Sequence, residues 1–125
     1  MPELHKHLVI NATVKNPIKD EKICEQWFRT LVDMIDMKVL IEPKATYCNT
    51  FGNEGITGTV VIETSHASIH IWSSVEVPYI RMDVYSCKDF EAEKVIAFVD
   101  ETMGIIDCDH ILIDRNDTKL KLING

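Results

Sequence analysis

The stretch from Gly55 to Trp72, GITGTVVIETSHASIHIW, limits the possible folds more than any other. Two runs in it, Thr59 to Ile62 and Ala67 to Trp72, have strand character, and a polar break, Glu63-Thr64-Ser65-His66, separates them. In the second run His66, Ser68, His70 and Trp72 fall on one face, and Ala67, Ile69 and Ile71 on the other. A period of two marks a strand with one buried side. The side away from the core carries two imidazoles, a hydroxyl and an indole, a set suited to a site. His66 alone reads as a polar residue on a solvated face. His70, in the same short run as Ser65 and Ser68, is the better functional candidate.

Geometry decides against a metal on the pair His66 and His70. On a helix, side chains four apart are neighbours and could share one zinc. On a strand the same spacing sets them about 13 Å apart. No CxxC or HExxH pattern supplies further ligands, so no metal is expected. His5 and His7 share a face of the first strand and read as sheet-face residues.

The segments SHASIHIW and GITGTVVIE, with DVYSC at Asp83 to Cys87 downstream and HKHLVI upstream, resemble the small prokaryotic-type S-adenosylmethionine decarboxylases. The resemblance covers most of the chain in order and spacing. It implies that Ser65 attacks the carbonyl of Thr64, that the chain is cut between Thr64 and Ser65, and that a covalent pyruvoyl group is left at Ser65. Such a group condenses with an amino-acid substrate and draws electrons from the carbanion left by CO2 loss. By the same resemblance His70 assists cleavage, Thr57 stands where the family has a processing serine, Cys87 donates a proton during decarboxylation, and Phe51 stacks on the substrate adenine. A homodimer paired through its sheets is implied as well. Two positions depart from the family. Thr64 replaces a glutamate before the scissile bond, and Trp72-Ser73-Ser74 replaces W-P-E, leaving Glu76 displaced as the candidate for the ribose hydroxyls.

The rest of the chain fits one domain over residues 1–125. Leu4 to Val14 reads as a first strand, broken by Asn16-Pro17. A helix starts at Asp20, whose carboxylate can cap it, and Ile23, Trp27, Leu31, Met34 and Ile35 form its buried stripe. Lys38 to Ile41 and Thr46 to Thr50 read as a strand interrupted by Pro43, hence an edge or a bend. Phe51 to Gly55 is a turn, and Gly55 and Gly58 would allow tight backbone close to Ser65. Tyr79 to Ser86 alternates with Ile80, Met82 and Val84 inward. A second helix is predicted over Asp89 to Met103, capped by Asp89 and closed by Gly104, with Phe90, Val95 or Ile96, Phe98, Val99 and Met103 inward. His110 to Ile113 is a further strand, and Thr118 to Ile123 an edge strand. This order predicts an α+β fold, a two-layer α/β sandwich with a mostly antiparallel sheet and two helices on one face.

Composition narrows the function classes. A net charge of −7 opposes binding to nucleic acid and is compatible with a cationic small-molecule substrate. No apolar run approaches membrane-spanning length, the start MPELHKH is not a signal peptide, and four widely spaced cysteines suggest reduced thiols. The cytoplasm is the expected compartment. Two readings follow. One is a pyruvoyl-dependent decarboxylase of S-adenosylmethionine that supplies aminopropyl groups for spermidine synthesis. The other is a divergent homologue, either acting on ornithine or arginine, or uncleaved and binding an adenosyl ligand or a partner chain.

Overall fold

A computed structural model describes residues 5–124. The strands are β1 (Lys6–Val14), β2 (Val39–Cys48), β3 (Gly55–Ile62), β4 (Ser65–Trp72), β5 (Tyr79–Ser86), β6 (Ile105–Asp114) and β7 (Lys121–Asn124). Helix α1 (Glu21–Met34) follows β1, and α2 (Ala92–Met103) follows β5. The strands form one seven-stranded sheet in the order β2-β3-β4-β5-β1-β6-β7, antiparallel at every pairing. This is the α+β sandwich expected from the sequence.

One face of the sheet holds the core. Leu8, Ile10, Ala12 and Val14 of β1, Ala67, Ile69 and Ile71 of β4, and Ile80, Met82 and Val84 of β5 are all buried there. Helix α1 lies over β2 and β3, and α2 lies over β1 and β6. Each fully buried aliphatic side chain contributes about 1.5–3 kcal/mol, so this shared face dominates the stability. The other face, lined by His7, Val9, Asn11, His66, Ser68, His70, Arg81 and Asp83, has no helix over it among the described residues.

Helix α1 begins as predicted: the Ile23 N–H donates to Asp20 Oδ1 at 2.9 Å, a cap worth about 1 kcal/mol. Its buried stripe is rotated from the expected one. Cys24, Trp27, Phe28, Leu31, Val32 and Ile35 face the sheet, while Ile23 is 61% exposed and Met34 is also exposed. Gly58 explains the rotation. A Cβ there would lie 2.9 Å from Phe28 Cε2, so the missing side chain admits the Phe28 ring against β3. Gly55 sits against the Ile71 carbonyl. Both glycines therefore serve the far part of the hairpin, not the backbone around Ser65.

Strand β2 runs through Pro43 without a break, at the sheet edge and with two register shifts. An edge tolerates proline because no partner needs its missing N–H. Carboxylates of α1 reach this strand: Glu25 Oε2 accepts from the Ala45 N–H at 3.1 Å, and Glu21 Oε2 from the Tyr47 N–H at 2.7 Å. Helix α2 starts three residues later than predicted. Asp89 pairs with Lys6 Nζ at 2.5 Å, and Glu91 occupies the cap position without a side-chain bond. Gly104 closes the helix in the left-handed region at φ 69°, as anticipated. Strand β6 is longer than the predicted His110–Ile113, and β7 starts later than Thr118. The acidic residues of β6 resemble a turn in sequence, but pairing along the length of β1 holds them extended.

Candidate active site

A two-residue turn, Glu63-Thr64, joins β3 to β4, with Ile62 and Ser65 paired across it. Ser65 shares the parity of Ala67 and Ile69, so its side chain points to the helix-covered side and is only 5% exposed. Cys87, immediately after β5, closes over it. The Cys87 N–H donates to Ser65 Oγ at 2.9 Å. Cys87 Sγ lies 2.7 Å from Thr64 Oγ1 and 3.7 Å from the Glu63 carbonyl oxygen. Beside this cluster is a cavity of about 600 Å³ whose walls include Asp33, Asp36, Lys38, Glu63, Thr64, Cys87 and Lys88. Any serine hydroxyl can reach its own preceding carbonyl through the covalent chain; here a backbone N–H is also aimed at the hydroxyl oxygen. Such a donor favours negative charge developing on that oxygen.

His70 and Thr57 occupy another place. They are cross-strand partners, and Thr57 Oγ1 lies 3.1 Å from His70 Nδ1. His70 has the opposite parity to Ser65 and stands five residues further along β4, about 16 Å away at strand spacing. The two residues are thus brought to each other but not to the Ser65 of their own chain. Near them, Trp72 stacks on Tyr79 with centroids 4.7 Å apart, and its indole N–H donates to Asn53 Oδ1 at 3.0 Å. Phe51, 95% exposed in the turn before β3, and Glu76, exposed in the loop before β5, belong to this same end of the sheet. The residues picked from the sequence therefore form two groups, one at each end of β4.

A third group escaped the sequence reading. On the open face, Asp83 Oδ2 lies 2.6 Å from His7 Nε2 and 3.3 Å from His66 Nε2, and Asp83 Oδ1 accepts from Ser68 Oγ. Burial opposes ionisation of Asp83. The hydrogen bonds from His7 and Ser68, and the nearby His7 and His66 rings, outweigh it and hold the carboxyl down at about 2. The three groups have the spacing of a metal site. However, Arg115 Nη1 lies 3.1 Å from His7 Nδ1, and a guanidinium can only donate. His7 therefore carries its proton on Nε2, facing Asp83, where a metal would need a lone pair. The alternation in each strand placed these residues on one face; that β1 lies beside β5 had no signal in the sequence.

Of the cysteines, Cys24 is buried, and burial, with the Glu25 charge next, pushes its thiol up to about 12. Cys24, Cys48, Cys87 and Cys108 are all free thiols. No helix among the described residues is long and apolar enough to cross a membrane.

Comparison with known proteins matches residues 6–116 to the family described as S-adenosylmethionine decarboxylase. Similar proteins carry the name S-adenosylmethionine decarboxylase proenzyme. One from Clostridium botulinum (strain Langeland / NCTC 10281 / Type F) is 28% identical over 100 residues, 78% of this chain and 81% of its own. One from Pyrococcus furiosus is 30% identical over 102 residues, 79% of this chain and 69% of its own. One from Pyrococcus horikoshii is 36% identical over 60 residues, 47% of this chain and 42% of its own.

Proposed function

The chain belongs to the S-adenosylmethionine decarboxylase family, and on that premise we propose that it is a proenzyme that cuts itself between Thr64 and Ser65 and then decarboxylates S-adenosylmethionine. The observation that supports the proposal is the burial of Ser65 with its Oγ accepting from the Cys87 N–H, while Cys87 Sγ touches the Thr64 hydroxyl. In the cut, Ser65 Oγ bonds to the Thr64 carbonyl carbon as the amide C–N bond breaks, and the hydroxyl proton passes to the freed amine. Loss of the Ser65 Cα proton expels the Thr64 carboxylate, and water then displaces ammonia to leave a ketone at residue 65. The Cys87 N–H stabilises the attacking oxygen while it carries developing charge.

The resulting pyruvoyl group supplies the electron sink for CO2 loss from a substrate amine. The chain's own residues do the rest. Cys87, whose thiol touches the Thr64 hydroxyl and whose N–H bonds Ser65 Oγ, is the group that would deliver a proton to the carbon that loses CO2. The cavity wall carries Asp33, Asp36 and Glu63 against Lys38 and Lys88, with Lys88 paired to Asp36, a slight excess of negative charge that is compatible with a sulfonium cation. The product is an aminopropyl donor for spermidine synthesis. The free thiols support a cytoplasmic location.

His70 needs a second copy. At about 16 Å and on the opposite face it cannot serve the Ser65 of its own chain. We infer a homodimer in which the open sheet faces meet and the Thr57–His70 pair of one protomer completes the site of the other. Phe51 and Glu76, at the same end as that pair, then come to the substrate from the same protomer as His70.

Intact mass and a denaturing gel test the cut. The wild-type chain should yield two pieces split at Thr64/Ser65, the second blocked at its N-terminus and reactive to borohydride, while Ser65→Ala stays whole. A wild-type chain that remains whole on long incubation refutes the proposal. Release of labelled CO2 from S-adenosylmethionine, and not from ornithine or arginine, tests the substrate.

A further inference from the structure

We propose that Thr64 drives the cut by strain: its backbone is held in a conformation a β-branched residue resists, and opening the Thr64-Ser65 peptide releases it. This deepens the self-cleavage reading and rests on it. Thr64 has φ 55°, and Asp36 is the other non-glycine residue among those described with a positive φ. Aspartate tolerates the left-handed region; threonine, with two heavy substituents on Cβ, is a genuine outlier there. The position is required by the fold. The Glu63-Thr64 turn must reverse the chain within two residues, because Ile62 and Ser65 already pair.

The surroundings keep Thr64 from relaxing. The pairing of Ile62 with Ser65 closes the turn on both sides of Glu63-Thr64 and fixes its backbone whatever the Thr64 hydroxyl does. On the other side of the scissile bond, Ser65 is buried and fixed by the Cys87 N–H and by its pairing with Ile62. Strain held in this way by its neighbours is the kind that persists at functional sites. When Ser65 Oγ takes over the Thr64 carbonyl carbon, the path to Ser65 Cα runs through Oγ and Cβ in place of the amide nitrogen and is one atom longer. Thr64 can then turn out of the left-handed region. The ester is favoured over the peptide by the strain released, and no proton or electron beyond those of the acyl shift is involved. Thr64 is thus a positioning residue for the cut, acting through the backbone.

The test separates strain from the hydroxyl. Cleavage is followed from synthesis in a cell-free system for wild type, Thr64→Gly, Thr64→Asn and Thr64→Val. Glycine and asparagine accept a positive φ; valine keeps the β-branch and lacks the hydroxyl. Thr64→Gly and Thr64→Asn should cleave about ten-fold more slowly, while Thr64→Val keeps the wild-type rate to within about two-fold. Melting in the Ser65→Ala background supplies a second readout. There Thr64→Asn should raise the melting temperature by a few degrees and Thr64→Val should not. Slower cleavage joined to higher stability is a combination that damage to folding would not produce. Glycine and asparagine variants that cleave as fast as wild type overturn the inference and leave self-cleavage standing. So does a valine variant as slow as glycine, since the hydroxyl would then be responsible. A wild-type chain that never cleaves overturns both.

Discussion

The two ends of strand β4 differ in what their side chains can do alone. At the Ser65 end a buried hydroxyl, a thiol and a turn are locked together by bonds of 2.7 to 2.9 Å. At the Trp72 end Thr57, His70, Trp72 and Phe51 lie on or near an uncovered surface, and Phe51 touches little of its own chain. The first end is fixed by its bonds to Cys87 and by the closed turn, the rigidity that the proposed cut would use. The second is a set of aromatic, imidazole and hydroxyl groups open to solvent. One strand carries both because side chains alternate sides along it: an odd separation of five residues puts Ser65 and His70 on opposite faces. Within one protomer the two groups cannot meet, and the proposed homodimer is what would bring them together.

The largest effect breaks or confirms that division. Ser65→Ala should abolish cleavage, and His70→Ala should block it nearly as fully. Co-expression of the two variants should restore a cut in the His70→Ala chain, which receives an imidazole from the Ser65→Ala partner. Absence of restored cleavage, with mixed dimers shown by mass, would mean that the two ends do not cooperate across copies.

Cys87→Ala sharpens the contrast within the Ser65 end. The substitution leaves the backbone N–H that contacts Ser65 Oγ, so cleavage should persist. Decarboxylation should fall by about 10²–10⁴-fold, the usual cost of losing a positioned proton donor. Equal losses in both reactions, read from gels and CO2 release, would assign the thiol to cleavage as well.

Next in size is packing beneath β3. Phe28→Ala should cost about 3–5 kcal/mol in denaturant unfolding, because a fully buried ring on Gly58 leaves a cavity. Trp72→Phe, at the open end, should cost less than about 1.5 kcal/mol, since the indole bond to Asn53 is exposed. A reversed order would show that the open end is structurally buried in solution.

The smallest effect concerns the open face between the two ends. Asp83 is held at about 2, below the unfolded value near 3.9. Its stabilisation is therefore complete above the unfolded value and drains away as pH falls toward 2. Asp83→Asn should lower stability by about 1–2 kcal/mol at pH 7, with the gap closing near pH 2. A gap that stays constant with pH would mean the network contributes through shape and not charge.

Local rules made much of the molecule legible in advance. The alternation in Ala67 to Trp72 and in Tyr79 to Ser86 gave the inward faces of β4 and β5 because the period of a strand is fixed by its backbone. Asp20 and Gly104 marked helix ends because a carboxylate satisfies free N–H groups and glycine accepts a positive φ. The failures were also physical. Asp89 looked like a cap, but Lys6 on β1 takes its carboxylate. The Ile23–Met34 stripe was displaced because Gly58, more than twenty residues away, makes room for Phe28.

The sequence by itself determined the two-layer α+β fold and the inward faces of its strands, since each depends on spacing along the chain, and its resemblance to a known family singled out Ser65 and Cys87. The tertiary structure decided which groups meet. It set β1 between β5 and β6, which assembled His7, His66 and Asp83, and it set β4 beside β5, which brought Cys87 onto Ser65. It also forced Thr64 into a positive φ by closing the hairpin in two residues. Pairing between distant strands and the sense of a tight turn are settled by what packs against what, and neighbours in sequence carry no record of that.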